Sequence, residues 1–125
     1  MQDLIDDIIV WQRQTFPNTT VRGTLRHLGQ EIIEFLAAYS MTIPAMSFEG
    51  TKLLEIMQTK LNKELKSDYT AKNVPDELAD IQILLIQLAD TCGVNLAQAL
   101  EAKMKQNNIR RWTLDENEIA QHIDE

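Results

Sequence analysis

The chain has 125 residues, of which 44% are hydrophobic and 25% charged, and its formal net charge is −7 at pH 7. This length predicts one domain with a hydrophobic core, and the composition is typical of a soluble protein. The negative charge argues against a nucleic-acid partner, because binding to a phosphate backbone needs a basic surface. The first segment, MQDLIDDIIVWQ, has no basic residue and does not resemble a signal peptide, and no apolar run has membrane-spanning length. We therefore expect a cytoplasmic protein with no membrane partner.

Helical periodicity accounts for most of the chain, and it predicts an all-α bundle of about five helices. Apolar residues recur at helical spacing over residues 4–15, and Phe16-Pro17-Asn18 ends this first helix. Thr19 and Thr20 suit the cap of a long second helix. Its apolar stripe is formed by Leu25, Leu28, Ile32, Phe35, Leu36 and Tyr39.

A loop is expected over residues 40–50, where Ser, Pro and Gly are frequent, and an inserted helix is expected at about 48–66. The buried face of this third helix is predicted to consist of Leu54, Met57, Leu61 and Leu65. The other face carries Lys52, Lys60, Lys63 and Lys66. We interpret these lysines as a solvated face with local Glu partners rather than as phosphate ligands.

The fourth helix, predicted from about Pro75 to Cys92, is apolar on nearly every side. Pro75 in the first turn, followed by two acids, favours its start. Such a helix is either central in its bundle or buried at a subunit interface, and a small domain has little room for the first arrangement. We therefore expect a homo-oligomer, either a homodimer or a dimer of dimers (a homotetramer). Cys92 is expected to be a small buried residue.

Gly93 suits the position that follows the fourth helix, and Asn95, with Gln three residues later, resembles a capping box for a fifth helix. From Leu114 onwards the chain holds five acids, one His and no Lys or Arg, which predicts a short exposed helix or a frayed end. We therefore divide the chain into a helical domain over residues 1–112 and an acidic tail over residues 113–125.

Two spaced pairs of carboxylates are the most informative feature: Glu31 with Glu34 in QEIIEFL, and Glu77 with Asp80 in DELADIQILL. Each pair is three residues apart in a helical stretch, so both acids project from one face about one turn apart. Two such faces, opposed, would form a cage of oxygen ligands. Acids packed beside apolar side chains repel one another unless cations neutralise them, and Mg²⁺ is held by carboxylates with water and substrate phosphates.

A di-iron carboxylate bundle also places acids on facing helices, but it needs a Glu-x-x-His motif from each of two helices. Neither acid pair ends in His. The two histidines are His27, one turn before Glu31, and His122 near the C-terminus, so the nitrogen ligands expected for iron are absent from the motifs. We interpret His27 as a helix-surface residue or as a residue that supports a ligand.

A second polar group lies on the predicted fifth helix, where Lys103, Asn107 and Arg110 follow one another at spacings of four and three. On a helix these side chains would share one face and offer an ammonium, an amide and a guanidinium to an anion such as a triphosphate. The alternative is a basic last turn that complements the helix dipole, with Trp112 as a core residue.

Taken in order, these motifs resemble the MazG-like nucleoside triphosphate pyrophosphohydrolases of the all-α NTP pyrophosphatase superfamily. The resemblance spans roughly residues 11–112 and rests on Glu-x-x-Glu, on a later Glu-x-x-Asp, and on Lys-x-x-x-Asn-x-x-Arg-x-Trp after a Gly-terminated helix. The segments WQRQTFP and LRHLGQEIIEF are also similar to short, single-domain members from phages and mobile elements.

The resemblance implies hydrolysis of a (deoxy)nucleoside triphosphate between its α and β phosphates, with Mg²⁺ as the metal and Mn²⁺ as a substitute. The products would be a nucleoside monophosphate and pyrophosphate. The implied metal ligands are Glu31, Glu34, Glu77 and Asp80. Either Glu31 or Glu34 would also be catalytic, by orienting or deprotonating the attacking water. The implied phosphate-binding residues are Lys103, Asn107 and Arg110.

Two features depart from the family pattern. Gln30 stands where many members have another Glu, and the stretch from Phe35 to Asp76 is longer than usual because it includes the Lys-rich helix. The insertion bears on quaternary structure more than on chemistry. A competing hypothesis is a non-catalytic helical interaction or regulatory protein whose acid pairs only decorate its surface. The sequence does not predict a base preference, and Trp11, Phe16 and Trp112 are interpreted as core residues.

Overall fold

The computed structural model describes residues 2–67 and 73–123. Within these ranges the chain forms α1 (Gln2–Thr15), α2 (Val21–Tyr39), α3 (Ile43–Lys66), α4 (Val74–Thr91), α5 (Leu96–Ile109), β1 (Arg111–Leu114) and β2 (Ala120–Ile123). The two strands pair antiparallel in a hairpin, with Trp112 opposite His122. The prediction of an all-α chain with about five helices is therefore confirmed for the described residues, and the short hairpin is an addition to it.

The elements separate into two compact units. The α4–α5 unit contains α1, α4, α5 and both strands, and the α2–α3 unit contains α2, α3 and the hairpin-loop residues 116–119. The two pairs of acids are divided in the same way, because Glu31 and Glu34 lie on α2 whereas Glu77 and Asp80 lie on α4.

Side-chain caps fix the start of four helices. Thr20, Thr42, Asn73 and Asn95 each accept a hydrogen bond from the backbone N–H three residues later, at 3.1–3.3 Å. Such a cap satisfies one of the N–H groups that a helix start leaves without an intrahelical partner. The predicted caps of the second and fifth helices are confirmed. Gly93 has φ = +71° directly after the Cys92 C-cap, which confirms its predicted position as well.

The loop expected over residues 40–50 is wrong, because α3 begins at Ile43. Thr42 caps the helix, and Pro44 lies in the first turn, where a missing N–H costs no intrahelical hydrogen bond. Gly50 therefore lies inside the helix. A Cβ added there would lie 3.4 Å from Cδ2 of Leu36, which shows that α3 approaches α2 at this point.

The predicted buried face of the third helix is also wrong. Leu54, Met57, Leu61 and Leu65 are 51–60% exposed, and none of the residues of α3 is buried. Within the α2–α3 unit only one other helix is available to cover α3, and a pair of helices cannot enclose an apolar stripe on all sides.

The α4 helix confirms its predicted position to within one residue, yet it too has no buried residue. Its aliphatic side chains include Leu84 at 62% and Ile86 at 50% exposure, so the first of the two predicted arrangements, a central helix, is not observed. Cys92, expected to be buried, is exposed. No single described helix is both long and apolar enough to cross a membrane; α4 and α5, whose axes differ by 102°, reach that length and composition only as a pair.

Over its described residues, 113–123, the acidic tail does not form the short helix or frayed end that its composition predicts, because residues 111–123 form the β1–β2 hairpin. Alternate residues of each strand are half-buried, namely Trp112 and Leu114 on β1 and Ala120 and His122 on β2. This period of two is the strand signal, and it outweighs the acidic loop between the strands.

Three aromatic rings form a cluster in the α4–α5 unit. The centroids of Trp11, Phe16 and Trp112 are 5.6–5.7 Å apart, and each pair meets edge to face. The His122 ring lies 5.9 Å from that of Trp112. The rings contact one another in the geometry favoured by aromatic quadrupoles, but Trp11, Phe16 and Trp112 are each only half-buried, so the predicted core position is not fully reached.

Candidate active site

The first acid pair lies in the second half of α2. Glu31 and Glu34 are both exposed, and three residues of helix separate them by roughly 4.5 Å along the axis. Nε2 of His27 lies 3.2 Å from Oε1 of Glu31, one turn away on the same face. His27 therefore contacts a predicted ligand, as the sequence suggested, while the Glu31 side chain stays 57% exposed and accessible to a cation.

The second acid pair lies in the first two turns of α4. Glu77 is in the first turn and Asp80 follows three residues later, and both are exposed. Neither carboxylate forms an ion pair with any residue in the described ranges. The donor set of both pairs consists of carboxylate oxygens, which are the ligands that hard cations such as Mg²⁺ prefer.

Within residues 2–67 and 73–123, no three or more His, Cys, Asp or Glu side chains are grouped in a way that could hold a metal ion. Each acid pair belongs to its own unit. The cage of four carboxylates thus stays a prediction from the sequence. What fits a divalent cation in the structure is that each pair consists of carboxylates and that both carboxylates of each pair are exposed.

Lys103 and Asn107 occupy the second half of α5. Lys103 is exposed, and its Nζ donates to Oε1 of Gln106 at 3.4 Å. Asn107 is half-buried: its Nδ2 lies 3.9 Å from the sulfur of Met104, and its Oδ1 is buried without a hydrogen-bond donor among the described residues. A buried amide oxygen without a donor is uncommon in proteins.

Arg110 lies at the C-terminal end of α5. The helix ends at Ile109, and Arg110 is its C-cap with an extended backbone, φ = −87° and ψ = 151°. The chain leaves the helix there because Arg111 begins β1. Lys103 and Asn107 thus lie within the helix and Arg110 lies at its C-cap, so the single face expected for the three side chains stays a prediction.

Sequence reasoning missed one set of residues near the first acid pair. Glu118, in the hairpin loop, forms an ion pair with Arg22 and accepts a hydrogen bond from Thr20 at the start of α2. The first turn of α2 contains no acidic residue of its own, so the positive end of its dipole favours an acid from elsewhere in the chain. Nothing local could identify Glu118 as its source, because 98 residues separate it from Thr20.

The MazG-like family model matches residues 31–125. The chain belongs to the MazG-like family. The match begins at Glu31 and includes every residue predicted to bind metal or phosphate, so the predicted family is confirmed on the segment that carries its motifs.

Two phage proteins, each named dATP/dGTP diphosphohydrolase, are similar to parts of this MazG-like chain. The protein from Salmonella phage PMBT28 is 38% identical over 65 residues, which are 51% of this chain and 22% of that protein. The protein from Cyanophage S-2L is 39% identical over 49 residues, which are 39% of this chain and 47% of that protein. The chain thus spans less than half the length of these curated relatives. No solved structure matches it.

Proposed function

We propose that this MazG-like chain hydrolyses (deoxy)nucleoside triphosphates to the nucleoside monophosphate and pyrophosphate. The observation that carries the proposal is the family match, which starts at Glu31 and contains both acid pairs and the segment from Lys103 to Arg110. Both phage relatives are named for dATP and dGTP. Purine deoxynucleoside triphosphates are therefore the first substrates to test.

The proposed metal ligands are Glu31, Glu34, Glu77 and Asp80, which would hold Mg²⁺ or, as a substitute, Mn²⁺. A bound divalent cation offsets the negative charge that develops on phosphate oxygens during attack. Within the α2 pair, one carboxylate accepts the proton of the attacking water or orients that water. We assign this role to Glu31 or Glu34, since both are exposed on one side of a helix.

Lys103, Asn107 and Arg110 are proposed to bind the substrate phosphates. The ammonium of Lys103 and the guanidinium of Arg110 are charge-assisted donors for phosphate oxygens. The Asn107 amide adds a donor from its Nδ2. Its contact with the Met104 sulfur at 3.9 Å is a weak hydrogen bond, so exchanging it for a phosphate oxygen costs little. Such positioned donors supply much of the catalysis in phosphoryl transfer, where the protein has little covalent chemistry to do.

We also propose that the chain works as a homo-oligomer, either a dimer or a dimer of dimers. The support is the apolar surface of α4, on which Leu78, Ile83 and Leu84 are 59–62% exposed. Large exposed apolar side chains on several sides of one helix indicate an interaction site, and copies of one chain associate most often with closed symmetry. The competing hypothesis of a non-catalytic regulatory protein is not favoured by the family match.

The test is pyrophosphate release from each common dNTP and NTP by the purified chain, with Mg²⁺ and with excess chelator. We expect release from dATP or dGTP that depends on the divalent cation. Release that is unchanged in chelator would exclude the metal mechanism. A chain that releases pyrophosphate from none of the nucleotides at micromolar enzyme would overturn the proposed activity.

A further inference from the structure

The loop of the β1–β2 hairpin packs against the start of α2. Oε2 of Glu118 lies 2.6 Å from Nε of Arg22, and Oε1 accepts a hydrogen bond from Oγ1 of Thr20 at 3.1 Å. Nη1 of Arg26 donates to the backbone carbonyl of Asn117 at 3.1 Å and lies 3.7 Å from the Glu118 carboxylate. We name these five residues, together with Gly23, the Glu118 clasp.

Close backbone approach makes the clasp specific in shape. Gly23 is the one buried residue of α2, and a Cβ added to it would overlap the backbone carbonyl oxygen of Glu118. Glu118 itself has φ = +65°, a left-handed conformation that is uncommon for a residue other than Gly. The next residue, Ile119, is 4% exposed and is the one buried hydrophobic residue in the described part of the chain. The loop is thus held by shape as well as by charge.

The clasp also completes the electrostatics of α2. The positive end of a helix dipole favours a nearby carboxylate, and the first turn of α2 contains no acid of its own. That turn instead carries Arg22, and Arg26 follows one turn later. Glu118 supplies the missing negative charge to both arginines and to the helix end, from the other end of the chain.

We propose that Glu118 is a positioning residue for α2, the helix that carries Glu31 and Glu34. The inference rests on the proposed function, because it assigns Glu118 a role in placing predicted metal ligands. The helix runs without interruption from Val21 to Tyr39, so a shift of its first turn is transmitted to Glu31, about 12 Å further along the axis. His27, which contacts Glu31, directly follows Arg26 of the clasp.

Chain connectivity is a second reason to assign Glu118 a role in the proposed site. Only β1 and three loop residues separate Glu118 from Arg110, so the loop that holds α2 is a short continuation of the segment proposed to bind phosphates. The family match begins at Glu31. The α2 half of the clasp, from Thr20 to Arg26, thus lies outside the matched segment, and the family match assigns it no role.

The exposure of the ion pair favours a role of Glu118 in positioning α2 over a role in stabilising the fold. The Arg22 side chain is 71% exposed, and an ion pair between exposed groups contributes little to the free energy of unfolding. Residues that orient metal ligands nonetheless change metal affinity by about 10- to 100-fold when they are removed. The two roles can therefore be separated by measuring the Mg²⁺ requirement beside the thermal midpoint.

The test uses two variants with matched controls. Glu118→Gln removes the carboxylate charge from the clasp, and Glu116→Gln removes the same charge from an exposed residue of the same loop. Gly23→Ala forces the loop away from α2, whereas Gly29→Ala places its Cβ in open space on the same helix. We expect Glu118→Gln and Gly23→Ala to raise the Mg²⁺ concentration for half-maximal hydrolysis about tenfold, and the two controls to leave it unchanged. High Mg²⁺ should restore kcat, because the ligands themselves are intact.

Hydrogen exchange supplies a readout that does not need activity. The amides of residues 21–26 should exchange faster in Glu118→Gln than in Glu116→Gln, while those of α3 stay as in the parent. Equal exchange rates in both variants would show that Glu118 does not hold the start of α2. A lower melting temperature with an unchanged Mg²⁺ requirement would show that Glu118 stabilises the fold but does not position the metal ligands. If the parent chain hydrolyses no nucleotide, the proposed function fails, and the exchange result alone decides whether Glu118 fixes the start of α2. If Gly23→Ala fails to fold, the Glu118 pair carries the test.

Discussion

The indole Nε1 of Trp112 donates a hydrogen bond to the backbone carbonyl of Asn107 at 3.1 Å. The same carbonyl accepts the N–H of Arg110 at 3.3 Å. The α5 helix has no Gly at its end, so these two donors close its last turn in place of the usual left-handed cap. Trp112 thereby fixes the backbone of two residues proposed to bind phosphates.

Replacing Trp112 with Phe should lower the free energy of unfolding by about 1–2 kcal/mol, because the carbonyl of Asn107 loses a half-buried donor while most of the ring packing stays. Urea denaturation measures this change. Trp11→Phe is the matched control, since it removes the same part of an indole from the same cluster without that hydrogen bond. An equal loss in both variants would show that packing, and not the hydrogen bond, sets the effect.

The second prediction concerns the acid pairs. Glu34→Gln and Asp80→Asn should each abolish turnover while the fold stays intact, because each removes one predicted metal ligand. Without metal, removing one charge relieves any repulsion between neighbouring acids, so the variants should be at least as stable as the parent. Circular dichroism and thermal melts in chelator check the fold, and pyrophosphate release checks turnover.

The control for both variants is Glu55→Gln on α3, an exposed acid outside the proposed site. It should retain parental turnover. In the parent, Mg²⁺ should raise the melting temperature, since a ligand that binds only the folded state stabilises it, and this rise should shrink in Glu34→Gln. If Mg²⁺ does not change the melting temperature of the parent chain, the proposed metal site is wrong.

Local signals in the sequence predicted the helices well and the connection between distant segments poorly. Thr20 and Asn95 were identifiable as caps because a cap acts within three residues. Pro44 is compatible both with a loop and with the first turn of a helix, so it does not fix the start of α3. The hairpin was missed because each strand has only four residues, and the acidic loop between the strands dominates the composition of that segment.

The candidate site shows the same division. The helical spacing of Glu31 with Glu34 and of Glu77 with Asp80 is local, and both pairs lie on helices as predicted. Arg110 lies directly after the last residue of α5, and helix ends are the least certain part of a periodic pattern. The contact of Glu118 with the α2 start depends on tertiary packing, which no local pattern encodes.

The third prediction concerns association. Ile86 on α4 is 50% exposed, and Ile86→Asp would place a charge in the apolar surface proposed as an interface. Burying an unpaired carboxylate there is costly, so the variant should dissociate to a single chain of 14.3 kDa or unfold. Light scattering at micromolar concentration measures the mass. Gln87→Asp adds the same charge at a polar position of α4 and should leave the mass unchanged; a parent that already has the mass of one chain would contradict the proposed oligomer.

The last prediction concerns Arg110 and the bond that breaks. The backbone N–H of Arg110, not its side chain, closes the end of α5, so Arg110→Ala removes the guanidinium and leaves that hydrogen bond in place. If the guanidinium neutralises phosphate charge in the transition state, kcat/KM should fall by the equivalent of about 3 kcal/mol, as for other positioned donors. Lys63→Ala, which removes an exposed cation from α3, should change kcat/KM very little.

Phosphorus NMR of the parent reaction should show a nucleoside monophosphate and intact pyrophosphate. A nucleoside diphosphate with orthophosphate would instead place the cleavage at the γ-phosphate, and the proposed reaction would be wrong even if the acids do bind the metal.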